Sequence, residues 1–221
     1  MAGPDMTDPR DSAVYLIDLG EPVLIDCGSG FAFEKILKNI ERLGFDPALI
    51  KNIVLTHCHV DHMGGAHLFK SHLGSRLIMH ELDAVIAEQA DQRLTAAFCF
   101  NIDFKPLHVD TKLKGDEGFL IFGLNRLAWL LTPGHTPGSI SLYADIDRKR
   151  ILFAQDIGAA LLKEFDCDPV SWLRSVRKLE ALDADILCDG HSGAYGPRRT
   201  VKRYLELCVK SQAEQGYIEL T

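Results

Sequence analysis

The sequence predicts an α/β fold in which two sheets pack together with helices outside, and three observations predict it. Each half of the chain runs strands first and helices after, the pattern expected of layered sheets with helical cover. Of the 221 residues 47% are hydrophobic and 25% charged, which matches soluble globular chains and excludes disorder, collagen-like repeats and coiled-coil rods. A short β-branched run, Ile53-Val54-Leu55, feeds straight into a polar cluster that opens a helix, a ligand-site arrangement at a strand end.

Residues 1–13 read as a disordered leader or cloning remnant, and residues 14–221 as a single domain. Val14 to Asp18 and Val23 to Asp26 flank Gly20-Glu21-Pro22 and predict a β-hairpin. After the break at Cys27-Gly28-Ser29-Gly30, Phe33, Ile36, Leu37, Ile40 and Leu43 recur at helical spacing until Gly44. Asp46-Pro47 caps a short turn. Beyond the polar cluster, Ala66 to Leu73 predicts a helix, Arg76 to Met79 a strand and residues 81–97 a further helix.

Short strands fill Phe119 to Thr132 and Ile140 to Ala154, separated by glycine- and aspartate-containing turns. Asp168-Pro169 starts a helix carrying Leu173, Val176, Leu179 and Leu182, Ile186-Leu187-Cys188 is another strand, and the last helix begins at Pro197. On that helix Val201, Tyr204, Leu205, Cys208 and Val209 form one apolar stripe, with Arg198, Arg199, Lys202 and Arg203 on a solvated face.

With 24 Lys+Arg against 31 Asp+Glu the net charge is -7, which disfavours a nucleic-acid partner. No stretch reaches the roughly 20 apolar residues of a membrane span, and the polar N-terminus lacks a signal-peptide core. Cys27, Cys58, Cys99, Cys167, Cys188 and Cys208 form no CxxC pair and read as reduced thiols of a cytoplasmic protein.

Chemistry concentrates in His57-Cys58-His59-Val60-Asp61-His62. In an extended segment residues 57, 59 and 61 project to one side and converge, whereas the adjacent Asp61 and His62 diverge, which suits two neighbouring ions. Cys58 faces the scaffold. Downstream, His135 in TPGHTPGS, Asp156 in FAQDIG and His191 in CDGHSG each sit at a strand end or glycine-rich turn. Together these supply five histidines and two carboxylates, enough for two divalent ions. His67, His72, His80 and His108 are left outside the site, and Phe98, Phe100, Phe104 and Trp172 are candidates for pocket walls or core.

In this order, the hexad, TPGHTPGS, the aspartate after a strand and the late Gly-His resemble the metallo-β-lactamase-fold hydrolase superfamily from about residue 14 to 205, in its glyoxalase II or lactonase-like branch. The resemblance implies an αββα sandwich of two mixed β-sheets with helices on the outer faces. It assigns His57, His59 and His135 to a first metal, Asp61, His62 and His191 to a second, and Asp156 as the bridge. His59 stands where flavodiiron oxidoreductases usually carry Glu, and Asp156 where many zinc β-lactamases use Cys or Ser. Gln155 stands where Gly is usual, and the chain runs 30 residues past His191, shorter than the glutathione-binding extension of glyoxalase II.

The implied function is a binuclear hydrolase that cleaves a carbonyl ester, thioester or lactone of a small molecule with a metal-bridging hydroxide, Asp61 orienting the water and passing on its proton. Zn2+ suits the N,O donor set first, with Mn2+ or Fe2+ as options. The alternative is a metal-dependent ribonuclease or β-lactam hydrolase of the same superfamily. The expected partner is a small-molecule substrate, with no nucleic acid and no membrane. Oligomeric state is left open, a homodimer being one option.

Overall fold

The hairpin predicted near the N-terminus forms from β1 (Tyr15–Asp18) and β2 (Pro22–Ile25), paired antiparallel with Tyr15 opposite Ile25. In this computed structural model, which describes residues 2–219, the hairpin leads a five-stranded sheet ordered β1-β2-β3-β4-β5. Strands β3 (Asn52–Val54), β4 (Arg76–His80) and β5 (Thr111–Leu113) join it in parallel, so the sheet is mixed. Parallel neighbours need crossovers, and helices supply them: α1 (Phe33–Arg42), the one-turn α2 (Val60–Met63), α3 (Ala66–Leu73) and α4 (Glu81–Gln89).

The second sheet is also mixed, ordered β11-β10-β9-β8-β7-β6. Its strands are β6 (Glu117–Phe122), β7 (Asn125–Leu131), β8 (Ile140–Ile146), β9 (Lys149–Phe153), β10 (Ile186–Asp189) and β11 (Gly193–Tyr195). The β9–β10 pair is parallel, and α5 (Pro169–Ala181) lies in the crossover between them. The chain ends in α6 (Arg198–Glu214).

These elements form two compact units, one of residues 2–114 with 121–126, the other of residues 115–120 with 127–219. Each has its own core. In the first, α1 turns Phe33, Ile36 and Ile40 inward, each burial stabilising by roughly 1.5–3 kcal/mol, onto a floor that includes Leu24, Ile53 and Leu77. In the second, Trp172, Val176 and Leu179 of α5 pack with Val201, Leu205 and Cys208 of α6 and with Leu152 and Leu187 of the sheet.

Three expectations change. Residues 2–13 are not a loose leader: Ala2 bridges Val14, and Asp11 and Ser12 are buried at 1% and 0% exposure. This segment is held by polar contacts rather than an apolar face, which is why hydrophobic pattern did not reveal it. The helix expected over 81–97 stops at Gln89, where Ala90 takes a left-handed conformation at φ 53° and closes the last turn. Strands β5 and β11 are additional, each of only three residues. No helix among the described residues is long and apolar enough to cross a membrane.

Candidate metal centre

The hexad follows β3 after Leu55 and Thr56, and it is not the extended segment expected: His57 and Cys58 lie in a bend, and Asp61 is helical. His59, with φ -74° and ψ 142°, is the N-cap of α2, so Asp61 and His62 sit on a helical turn. They therefore do not diverge as alternation predicts: Asp61 Oδ2 lies 3.6 Å from His62 Nε2. The His57 ring approaches those of His59 and His62 at centroid distances of 4.8 and 4.1 Å. His57, His59, Asp61 and His62 are all buried.

Two glycines after the hexad make this packing possible. A Cβ on Gly64 would lie 2.4 Å from Ser29 O, and one on Gly65 2.4 Å from Cys27 O, so α2 lies directly on the Cys27–Ser29 backbone. Cys58 points into the core as expected, with its N–H donated to Asp83 Oδ2 at 2.9 Å.

Sequence reading missed Asp26, which the structure places behind the histidines. Its carboxylate accepts from Thr56 N and Thr56 Oγ1, both at 2.8 Å, and faces His62 Nδ1 at 2.8 Å. Because Thr56 Oγ1 donates to Asp26, it accepts from His57 Nδ1 at 3.0 Å. Both imidazoles thus carry their proton on Nδ1 and direct the Nε2 lone pair away from the scaffold, the tautomer a metal ligand needs. An acidic residue closing the apolar run Val23-Leu24-Ile25 was the available signal.

In the second unit, His135, Asp156 and His191 come together. Asp156 Oδ2 lies 3.0 Å from His191 Nε2 and 3.5 Å from His135 Nε2, with Asp156 4% exposed. His135 is held by the start of α5: Asp168 N donates to Gly134 O at 2.8 Å and Cys167 Sγ to His135 O at 3.1 Å. His191 is more open, its side chain 42% exposed, but its backbone is fixed by Asp189. The buried Asp189 accepts from His191 N, Ser192 N and Ser192 Oγ through Oδ1, and from Tyr204 Oη at 2.7 Å through Oδ2. Burial and the Asp189 charge push the Tyr204 phenol well above its ordinary pKa, so it stays a donor.

Gln155 occupies left-handed space at φ 47° and folds back so that its Oε1 accepts from Asp156 N at 2.6 Å. That conformation explains why glycine is usual there.

Within the first unit His57 pairs with His59, and Asp61 with His62, with donor atoms inside 4.8 Å; within the second, Asp156 does so with both His135 and His191. Such paired imidazole nitrogens and carboxylate oxygens suit a borderline divalent cation, and crowded buried lone pairs gain from one. The other histidines lie apart: His67 Nε2 faces Lys105 O, His80 Nδ1 accepts from Leu82 N at the start of α4, and His72 packs beside Phe33. Of the aromatic candidates, Trp172 and Phe104 are core residues and Phe98 is exposed. All six cysteines are free thiols.

Comparison with known proteins decides the family. Residues 7–191 match the metallo-beta-lactamase superfamily profile. The chain belongs to that superfamily. A metallo-β-lactamase variant from Cronobacter sakazakii superposes with a TM-score of 0.79 at 26% identity, covering 93% of this chain and 90% of that one, so the two mixed sheets with flanking helices are the α/β sandwich fold of the metallo-β-lactamases. A hydroxyacylglutathione hydrolase from Bartonella henselae is 33% identical over 64% of this chain and 49% of its own length. The N-acyl homoserine lactonase AttM of Rhizobium radiobacter is 30% identical over 84% of this chain and 72% of its own. A ribonuclease from Thermus thermophilus is 27% identical over 94% of this chain and 47% of its own. The chain thus spans about half the length of the first and third of these relatives.

Proposed function

We propose that this metallo-β-lactamase superfamily chain is a binuclear metal-dependent hydrolase of a small carbonyl ester, thioester or lactone. The observation that carries the reading is the Asp26–Thr56 relay, which sets two buried imidazoles in the tautomer a metal requires. In this reading His57, His59 and His135 would hold one divalent ion and Asp61, His62 and His191 the other, with Asp156 a candidate ligand of either. When bound, such a pair supplies Lewis acidity and a hydroxide nucleophile at neutral pH. Asp61 orients the attacking water and accepts its proton, helped by its fixed place on α2. Asp156 is oriented by the imidazoles of His191 and His135 beside it, and Asp189 keeps the His191 loop in position. Zinc fits the nitrogen-rich donor set first, with manganese or iron as substitutes.

Thioester and lactone hydrolysis are favoured by likeness to proteins named as a hydroxyacylglutathione hydrolase and a lactonase. RNA is disfavoured because Arg198, in the one dense basic run, is engaged by Asp183 at 2.6 Å and Asp185 at 2.9 Å, and the net charge is -7. A small-molecule substrate and a cytoplasmic setting complete the reading. The test is hydrolysis of an acyl thioester, a lactone, a β-lactam and a single-stranded RNA at equal zinc loading and about 0.1 M salt. The carbonyl substrates should be turned over fastest. RNA cleavage exceeding both, and lost on replacing Arg198, Arg199, Lys202 and Arg203, would replace this reading with a ribonuclease, and faster β-lactam turnover with a β-lactamase.

A further inference from the structure

A helix of one turn cannot pair its own final carbonyls, so α2 must borrow donors from elsewhere. Gly64 N bonds back to Val60 O, but Gly65 N turns to Gly28 O. The His62 carbonyl is taken by Cys27, through N at 2.8 Å and Sγ at 3.3 Å. The Asp61 carbonyl is taken by Ser12, through N at 3.1 Å and Oγ at 2.9 Å. Ser12 lies 49 residues earlier in the chain, in the N-terminal arm, and is fully buried.

The arm is fastened one residue earlier. Asp11, 1% exposed, accepts from Ser29 N at 2.9 Å, Ser29 Oγ at 2.5 Å and Thr7 Oγ1 at 2.6 Å. Gly28, at φ 70°, leaves room for it, since a Cβ there would come within 3.0 Å of Asp11 Oδ1. A buried carboxylate and hydroxyl are costly unless fully paired, and here the partners are the loop under α2 and the carbonyl of Asp61 itself.

We infer that Ser12, held in place by Asp11, is a positioning residue for Asp61: it fixes the peptide from which that carboxylate is aimed, and so tunes the metal position that Asp61 completes. This rests on the proposed metal reading, in which Asp61 is a ligand. An arm that merely covers the core would affect stability and leave the metal unchanged. Outer hydrogen bonds of this kind alter metal affinity by about 10–100-fold.

The test compares full-length wild type, Ser12→Ala and Asp11→Asn, each loaded with zinc against a chromophoric chelator and, separately, with Co2+ for its d–d absorption bands. Expected is a wild type that takes two ions, and a Ser12→Ala protein that binds the second about tenfold more weakly, with altered Co2+ bands. Asp11→Asn should move both readouts in the same direction, and it serves as the test should Ser12→Ala fold poorly. Variants with wild-type second-ion affinity and Co2+ bands, whatever their melting temperature, overturn the inference alone. A wild type that takes up no second ion overturns the metal reading, and this inference with it.

Discussion

Asp26 Oδ2 sits 2.8 Å from His62 Nδ1, and the same carboxylate reaches His57 through the Thr56 hydroxyl. One buried acid therefore sets the protonation pattern of two imidazoles. Asp26→Ala should weaken zinc binding by about 10–100-fold, with Asp26→Asn intermediate because an amide can still accept from one donor. Chelator competition and elemental analysis read this directly. Unchanged affinity in both variants would show that the relay does not orient the ligands.

The glycine of TPGH is sterically obligatory. At Gly134, φ 134°, a Cβ would lie 2.4 Å from Trp172 Cα, Cβ and N, at the start of α5. Gly134→Ala should cost more than about 3 kcal/mol, because backbone rather than a flexible side chain must give way. Gly44 is the control: at φ 85° with nothing within 4 Å, alanine there meets only conformational strain of about 1–2 kcal/mol. Urea denaturation of the two variants should separate them clearly, and equal losses would contradict the close approach of α5.

Cysteine reactivity should be confined to one site. Burial pushes the Cys167 thiol up to about 11, Cys188 and Cys208 to about 12, and Cys27 and Cys58 well above the usual range. Cys99 alone is exposed, although desolvation and the charge of Asp61 raise its pKa too. Iodoacetamide at pH 8 should therefore add one label to the native protein, at Cys99, and label all six thiols after denaturation. Mass spectrometry showing native labelling at Cys58 would mean that the hexad is more open than described.

Acid should destabilise the fold. Asp168 is held below the usual carboxylate range first by the Ser171 hydroxyl, against desolvation, and then by the N–H groups of Ser171 and Val170. Asp145 and Glu88 are lowered first by hydrogen bonds from Arg150 and Lys112. With folded pKa values below the unfolded ones near 4, these groups stabilise fully above that pH and lose their contribution as pH falls through the folded values. The urea midpoint should drop between about pH 5 and pH 3. Asp168→Ala, which removes an N-cap, should cost about 1 kcal/mol at pH 7 and less at pH 3. An equal loss at both would show that the cap is not ionised.

Much of this was legible in the sequence where side chains obey a period. Phe33, Ile36 and Ile40 mark α1, Val201 to Val209 mark α6, and the turns at Gly20-Glu21-Pro22 and Asp168-Pro169 fall where their chemistry predicts. The seven candidate ligands were visible as residue types, and the structure collects them within each unit. What escaped is what period does not encode. Asp61 belongs to a helical turn because Gly64 and Gly65 let α2 settle on the Cys27–Ser29 backbone, a tertiary cause. Asp11 and Asp26 are lone acids with partners 18 and 30 residues further along the chain, and α4 ends at an alanine in left-handed space rather than at glycine.

The β6–β7 hairpin is divided between the units, its tip at residues 121–126 counted with the first and its stems with the second. At the tip, Asn125 Nδ2 donates to Leu19 O at 2.8 Å, a bond a fragment ending at residue 114 would lack. The two units are consequently not a tandem pair that a single genetic breakpoint could separate. A recombination event joining either one intact to a foreign partner would need three crossovers, one at the start of the hairpin and one on each side of its tip.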